Sequence, residues 1–451
     1  MKLSLLLALI ALALPLQAAE PRSPSSPTSS TSQVGEASEV TAAAGRSRPV
    51  APALRYGVDD LLLEAGALPN APEADRTATV RGSAFVLWQP SRNWGLRAGA
   101  RVDGANQGGG AADFTKWSAD FADTYVRWRN GDTRFTAGAQ TIVWGRADAV
   151  PLIDRVSRVD LTHFVLDDLP DRRRAQWALR WEQSWDDVKL DAVVLPWMRG
   201  AALPEVESIW SPVNQTTGRI IGIPPSPALA AFVRAATIDE DDDGTGGGGL
   251  RLTRSGNAAD IGFTLARARQ SVPYYRANPD PARPSLTAIH PFQNFAGVDA
   301  EWASGDYTWR TELGYTSRVP ATLPTAAMVM TDAVEWIGGV EFFPGGGDTR
   351  ATLQLIARSL HTGEDILELK RYVGVNGELE TALDRGRWQA SLRFAVGLNV
   401  NDVYVAPMLR YVGWEPHKLF IAAHLFNGEA RTPFGFHREH DLIAVGIRTR
   451  F

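Results

Sequence analysis

The chain has 451 residues, a formal net charge of −5 and no cysteine. The lack of cysteine excludes disulfides, thiolate metal sites, cysteine nucleophiles and a lipid anchor on an N-terminal cysteine. The mildly acidic total argues against nucleic-acid binding driven by net charge, and 44% hydrophobic residues indicate a folded chain. The length suits either several soluble domains or one large closed sheet.

The N-terminus has the features of a secretory signal peptide. Lys2 precedes an almost uninterrupted apolar run from Leu3 to Leu16, and the small pair Ala18-Ala19 follows it. We therefore expect a signal peptide over residues 1–19. Residues 20–53 are rich in Pro, Ser, Thr and Ala, which predicts a flexible periplasmic linker.

From about residue 77, many segments alternate apolar and polar residues over about ten positions. In one of them Trp177, Leu179 and Trp181 oppose Arg180 and Glu182. Such alternation marks a strand with one apolar and one polar face. A soluble β-sandwich would alternate in the same way, but here many aromatic residues stand near the segment ends, as at the two interfaces of a membrane barrel.

Short turns and long connections separate these segments. The short turns are Asn130 to Asp132, Asp186-Asp187, Ser255 to Asn257, Ser304 to Asp306, Gly345 to Asp348, Arg385-Gly386 and Pro416-His417. The long connections are 104–118, 145–174, 197–248, 269–288, 319–331 and 427–439. Alternating short turns and long loops predict an outer-membrane β-barrel with short periplasmic turns and long extracellular loops.

The last strand carries a terminal signal. Ile443, Val445, Ile447, Thr449 and Phe451 share one face, and the chain ends on that phenylalanine. A terminal aromatic residue on an alternating strand resembles the signal that the assembly machinery of outer-membrane barrels reads on an unpaired strand edge. A bacterial barrel of one chain has an even number of strands, so we expect a further first strand within residues 54–66. Residues 54–451 are then predicted to form a barrel of about 18 strands, with 16 as the alternative.

The polar faces are rich in arginine. By this register the basic inward residues outnumber the acidic ones. The residues that we predict to line the pore are Arg81, Arg97, Arg101, Arg127, Arg129, Gln140, Arg180, Glu182, Arg310, Glu312, Arg350, Arg358, Arg393, Arg410 and Arg448. Such a lumen concentrates anions, because a low-dielectric wall focuses the field of its cations. The alternative is structural, since Arg–Glu and Arg–Asp ladders also brace large barrels.

The connection 145–174 is densely charged and also carries apolar residues that need burial. It is predicted either to fold into the lumen as a constriction or to cap the outer surface. Its charged candidates are Arg146, Asp148, Asp154, Arg155, Arg158, Asp160, Arg172 and Arg173. In the connection 197–248, an apolar stretch from Pro227 predicts a short helix that plugs the pore or covers its mouth.

Catalytic and metal-binding patterns are weak. No Gly-x-Ser-x-Gly motif occurs, and no nucleophile or acid–base group stands out. His437 and His440 have metal-ligand spacing but are expected to be a solvated pair. Asp239-x-Asp241-x-Asp243 lacks the carboxylate that completes a calcium loop. We expect no enzyme activity, no metal and no cofactor, although enzymes on outer-membrane barrels remain an alternative.

Residues 54–451 resemble Gram-negative outer-membrane porins and exporters. The stretch AGAQTIVWGRAD (137–148), then IDRVSRVDL, then VVLPW (193–197), looks like a group of poorly characterised porin-like barrels. They share the plan of the alginate exporter, whose family fold has eighteen strands and a cationic lumen. Some members of that group accompany transporters for hydrophobic compounds.

The leading hypothesis is an outer-membrane channel that passes anionic or polar solutes through an arginine-rich lumen. The alternative is a conduit for hydrophobic molecules, with a loop-plugged barrel that works with an inner-membrane transporter. A structural outer-membrane protein is a further option. The expected partners are outer-membrane lipid and lipopolysaccharide, the barrel-assembly machinery and the transported solute, with no nucleic acid.

Overall fold

A computed structural model describes residues 53–147, 152–241 and 244–451. They form a closed antiparallel barrel of 18 strands. The strands are β1 (Ala53–Ala67), β2 (Arg76–Gln89), β3 (Trp94–Gly108), β4 (two segments, Phe114–Phe121 and Thr124–Asn130), β5 (Thr133–Gln140), β6 (Gln176–Trp185), β7 (Val188–Leu195), β8 (Gly247–Arg254), β9 (Asp260–Arg269), β10 (Phe292–Ser304), β11 (Tyr307–Thr322), β12 (Met328–Phe342), β13 (Thr349–His361), β14 (Arg371–Leu383), β15 (Trp388–Gly397), β16 (Asp402–Trp414), β17 (His417–Gly428) and β18 (Leu442–Arg450).

Each strand pairs with the next along the chain, and β18 pairs with β1 to close the sheet. Both segments of β4 pair with β3, so they count as one interrupted strand. The all-β transmembrane barrel predicted from the sequence is confirmed, including its strand number. The predicted signal peptide, and the predicted linker up to residue 52, lie outside the described residues.

The alternation of residue types decides which face of the wall each side chain occupies. Leu179 and Leu265 are 53% and 61% exposed, whereas Gln176 and Thr264 are 2% and 1% exposed. The barrel is thus apolar outside and polar inside, the reverse of a soluble sheet protein. This inversion follows from the solvent, because lipid solvates apolar side chains and the lumen holds the polar ones.

Connections at one end of the barrel are short and those at the other end are longer. The predicted turns at Gly131, Asp186 and Gly305 each separate two paired strands. Two predicted long connections are wrong, however, because strands β3 and β4 occupy most of 104–118, and strands β11 and β12 occupy most of 319–331. The extra residues of β3 and β4 include Asn106 and Lys116, which lack the apolar alternation that marks a membrane strand.

The long connections carry additional structure. The predicted helix in 197–248 is confirmed as α1 (Pro227–Ala235), and α2 (Pro433–Phe436) lies between β17 and β18. A small sheet joins Thr237–Glu240 to Ser285–Ile289 and Tyr274–Asn278, and short hairpins pair Arg158–Val159 with Arg173–Arg174 and Val213–Asn214 with Arg219–Ile220. Leu169–Arg172 and Pro344–Gly346 are short 3-10 helices. None of the helices in the described ranges is long and apolar enough to cross a bilayer.

The described parts of the β5–β6 connection, residues 141–147 and 152–175, fold into the lumen, and we call them the plug segment. Two apolar clusters hold it. One packs Trp144, Ile153 and Val156 against inward side chains such as Phe295 of β10. The other packs Phe164 and its neighbours against Trp210, Tyr404, Phe426 and Leu442. Of the two predicted arrangements for this connection, the structure shows the inward one.

Candidate functional site

A carboxylate of the wall anchors the first turn of the plug segment. Glu312 of β11 is 1% exposed, and its Oε1 accepts hydrogen bonds from the backbone N–H groups of Arg146 and Ala147, the latter at 2.8 Å. Its Oε2 accepts a third from Ile153 N–H at 3.2 Å. Gly145 permits this approach, because its φ is +91° and a Cβ there would lie 2.7 Å from Glu312 Oε1.

Ion pairs then fix the plug segment to strands all around the barrel. Arg146 donates to Asp299 of β10 at 2.8 Å, and Arg155 donates to Glu335 of β12 at 2.7 Å. On the other side the plug segment supplies the acids. Three of its aspartates pair with wall arginines, Asp167 with Arg81 at 2.7 Å, Asp168 with Arg393 at 3.1 Å and Asp171 with Arg448 at 2.6 Å.

The middle of the plug segment forms a compact charged cluster. Asp160 is 2% exposed and accepts from Arg101 at 2.7 Å and from Arg174 at 2.8 Å. Arg158 and Arg199 both pair with Asp120 of β4, while Arg173 pairs with Asp154 inside the segment. Because these charges are mostly buried and ion-paired with one another, they fix the position of the plug segment more than they attract a solute. Of the remaining predicted constriction residues, Arg172 is half-buried and its carbonyl accepts a hydrogen bond from Asp160 N–H at 2.8 Å, and Asp148 lies outside the described residues.

The other predicted pore residues lie along the wall, most of them beside acids. The pairs are Arg97 with Asp59, Arg180 with Asp191, Glu182 with Lys189, Arg310 with Glu301, Arg350 with Glu378, Arg358 with Glu335 and Arg410 with Glu380. Arg127 stacks over Tyr125 at 4.4 Å, and Arg129 is exposed at the short-turn end of β4. Gln140 is buried and donates to backbone carbonyls, including that of Ala178.

Sequence reasoning missed several inward acids. Asp60, Asp299, Glu301, Glu335 and Glu341 all pair with inward arginines. The excess of inward base over acid is therefore smaller than the sequence register indicated. The alternation of residue types could have revealed some of these acids, because Glu335 stands between Val334 and Trp336, which both face outward.

The prediction of a solvated histidine pair is wrong. His437 and His440 are both 0% exposed, their Nδ1 atoms lie 3.0 Å apart, and His440 Nε2 lies 3.3 Å from Glu73. The β17–β18 connection folds inward because Asp402 accepts the N–H groups of Phe434 and Gly435, which places the histidines against Trp210. In the part of the chain that the structure describes, no three His, Asp or Glu side chains are arranged so that they could hold a metal ion. Asp243 of the acidic run lies outside that part.

Phe451 follows the last residue of β18 and is 64% exposed. Its backbone N–H donates to the carbonyl of Asp59 at 3.3 Å, so the terminus lies beside β1. Its role as an assembly signal stays a prediction.

The imidazole of His163 in the plug segment is expected to make the holding of that segment depend on pH. His163 lies 3.2 Å from Glu64 of β1 and 3.3 Å from Asp167. Burial opposes its protonation, but the two carboxylates outweigh burial and raise the pKa of His163 to about 10. Because the pKa of His163 is higher in the folded chain than in the unfolded chain, its protonation stabilises the fold. This stabilisation is complete below the unfolded pKa, near 6.5, and is lost as the pH rises through about 10.

We therefore expect the plug segment to loosen between neutral pH and pH values of about 10. Single-channel recordings should show more frequent open events at the alkaline end of this range. His163→Gln should remove that dependence, because glutamine cannot titrate. An identical pH profile in the variant and the wild type would contradict this role of His163.

This geometry, a closed membrane barrel with a charged lumen and an inserted loop, defines a porin-type protein. The chain belongs to the family described as "Protein of unknown function (DUF1302)", whose model matches residues 70–404. No curated protein matches the sequence.

Comparison with solved structures finds similar chains at low sequence identity. OccAB1 of Acinetobacter baumannii is 8% identical, with a TM-score of 0.50 over 89% of this chain and 96% of that one. OccAB4 of the same organism is 8% identical, with a TM-score of 0.48 over 90% and 99%. An anion-selective porin from Comamonas acidovorans is 11% identical, with a TM-score of 0.40 over 89% and 100%. At these identities the likeness concerns the fold alone.

Proposed function

We propose that the protein is an outer-membrane channel for small anionic or polar solutes, narrowed by its plug segment. The observation that carries the proposal is the ion-paired insertion of that segment into a lumen with charged walls. A loop held in this way restricts the passage to small solutes while leaving polar surfaces along it. We propose no enzymatic role, because the buried carboxylates of Glu312, Asp299 and Asp167 are engaged in holding the plug segment.

A gap lined by both polar and apolar side chains lies beside the plug segment. It has a volume of about 190 Å³ and lies between residues of the segment, such as Asp154 and Ser157, and inward residues of β9 and β10, such as Ala268 and Gln293. Gln270 and Ser271 line it as well. A gap of this size holds on the order of ten water molecules, and we expect larger solutes to pass when the plug segment moves.

The anionic preference rests on unequal exposure within ion pairs. The side chain of Lys189 is 45% exposed and its partner Glu182 only 6%; Arg450 is 48% exposed and Asp60 15%; Arg358 is 45% exposed and Glu335 25%. At these three pairs the lumen water meets more guanidinium and ammonium surface than carboxylate surface, whereas at Arg97–Asp59, Arg310–Glu301 and Arg393–Asp168 the carboxylate is the more exposed partner. We infer a modest anion preference, because most arginines are already neutralised by neighbours.

Passage of hydrophobic molecules is the second candidate. A plugged lumen agrees with it, and so do the two apolar clusters. The side chains of those clusters pack against one another, however, and ion pairs between charged side chains hold the plug segment in the lumen. Polar solutes are therefore the first choice.

The test is single-channel conductance of the refolded mature chain, with the reversal potential in a salt gradient. We expect small conductance steps with modest anion selectivity. Replacing Lys189, Arg358 and Arg450 together by glutamine should shift the reversal potential toward cations. The control is Arg254→Gln, which removes one exposed charge at the membrane-facing rim of β8 and should leave selectivity unchanged. A cation-selective wild type, or one silent at all voltages, would contradict the proposal.

A further inference from the structure

The outer wall carries an apolar groove that the transport proposal does not use. It has a volume of about 1150 Å³ and lies over strands β4 to β9. Two rows of outward side chains cross these strands through their paired positions. One row is Val126, Ala137, Leu179, Val194, Gly248 and Arg267, and the other is Trp128, Phe135, Trp181, Ala192, Leu250 and Leu265.

Small residues create the depression. Ala192 stands between Trp181 and Leu250, and Gly248 stands between Val194 and Arg267. The flanking side chains are large and exposed, with Val194 at 55% and Leu250 at 51%. A concave apolar surface at the level of the hydrocarbon core accepts acyl chains, because lipid is its solvent there.

One cation stands at the long-loop end of the groove. Arg267 is exposed and outward, two residues before the end of β9. Its hydrogen bond to Asn294 Oδ1 is long, at 3.4 Å, and among the described residues no carboxylate lies within ion-pair distance of it. A charge on the lipid face is tolerated near the headgroups and costly at the bilayer centre, so this guanidinium lies at headgroup level.

We propose that this groove binds a phosphorylated, multiply acylated glycolipid of the outer leaflet, a lipopolysaccharide, with Arg267 on a phosphate and acyl chains over Ala192 and Gly248. Arginine forms paired hydrogen bonds with phosphate, and the rest of the groove is apolar. The charge and the groove thus complement one amphiphile with an anionic head. The proposal uses the orientation with long loops outside the cell, but it is independent of conduction through the lumen.

The test is native mass spectrometry of the purified barrel in neutral detergent, titrated with diphosphorylated lipid A. We expect one tightly retained molecule. Arg267→Gln should weaken retention about tenfold or more, since the variant loses the charge-assisted hydrogen bonds to phosphate. Ala192→Trp should abolish retention by filling the groove, with heat-modifiable migration on gels confirming that the barrel has folded.

Matched controls lie on the opposite wall. Arg371→Gln removes an exposed arginine at the long-loop end of β14, and Ala390→Trp enlarges a small residue of β15. Both should retain lipid A as the wild type does. Equal retention by Arg267→Gln, or equal binding of dephosphorylated lipid A, would overturn the proposal. A change of oligomeric state in Ala192→Trp without loss of lipid would instead assign the groove to a second copy of the chain.

Discussion

Glu312→Ala should increase the open fraction of the channel by roughly tenfold or more. The carboxylate accepts three backbone N–H groups at the start of the plug segment. Each buried donor that loses its acceptor costs about 1–3 kcal/mol, and about 1.4 kcal/mol changes an equilibrium tenfold. In the variant, the closed state leaves these N–H groups buried without an acceptor, whereas in a displaced plug segment they donate to water. The equilibrium between the closed and open states therefore shifts toward the open state.

The measurement is the open probability in planar bilayers, together with uptake of a small anion into liposomes. Glu312→Gln keeps one acceptor oxygen and should lie between the wild type and alanine. The control is Glu378→Ala, which removes a wall carboxylate whose ion pair is with Arg350 of the neighbouring strand. If Glu312→Ala and Glu378→Ala conduct alike, the plug segment does not limit conduction.

Asp299→Ala should lower the stability of the barrel by about 3–5 kcal/mol, the usual cost of breaking a buried ion pair from one side. Asp299 is 2% exposed and accepts from both Nη atoms of Arg251, at 2.7 and 2.9 Å, and from Arg146 at 2.8 Å. Its loss leaves the buried guanidinium of Arg251 without its carboxylate and also releases Arg146 of the plug segment.

Asp187→Ala provides the matched comparison, because Asp187 pairs with Arg254 at 2.7 Å at an exposed turn. Solvent and salt screen such a pair, so this variant should unfold as the wild type does. Thermal unfolding in detergent, followed by heat-modifiable migration on gels, measures both. Equal loss of stability in the two variants would show that burial does not decide the strength of these pairs.

Alternating sequence patterns determined the barrel itself. Leu179 and Trp181 against Arg180 and Glu182 define two faces, and this local rule holds in strand after strand. The number of strands, and the fact that it is even, then followed from short turns such as Asn130 to Asp132 and from the alternating last strand. These features are readable because they depend on neighbours in the chain and on lipid as the outer solvent.

The tertiary structure decided which charges are available in the lumen. Asp167 and Arg81 are 86 residues apart, and Arg146 and Asp299 are 153 apart, so no local pattern shows that they meet. The sequence placed arginines on the inner face but could not show that the plug segment brings its own aspartates to them. The same holds for His437 and His440, which a solvated loop would expose and which Trp210 and Phe164 bury. Charge pairing inside a barrel is a long-range property of how the loops fold, and alternation along a strand carries no information about it.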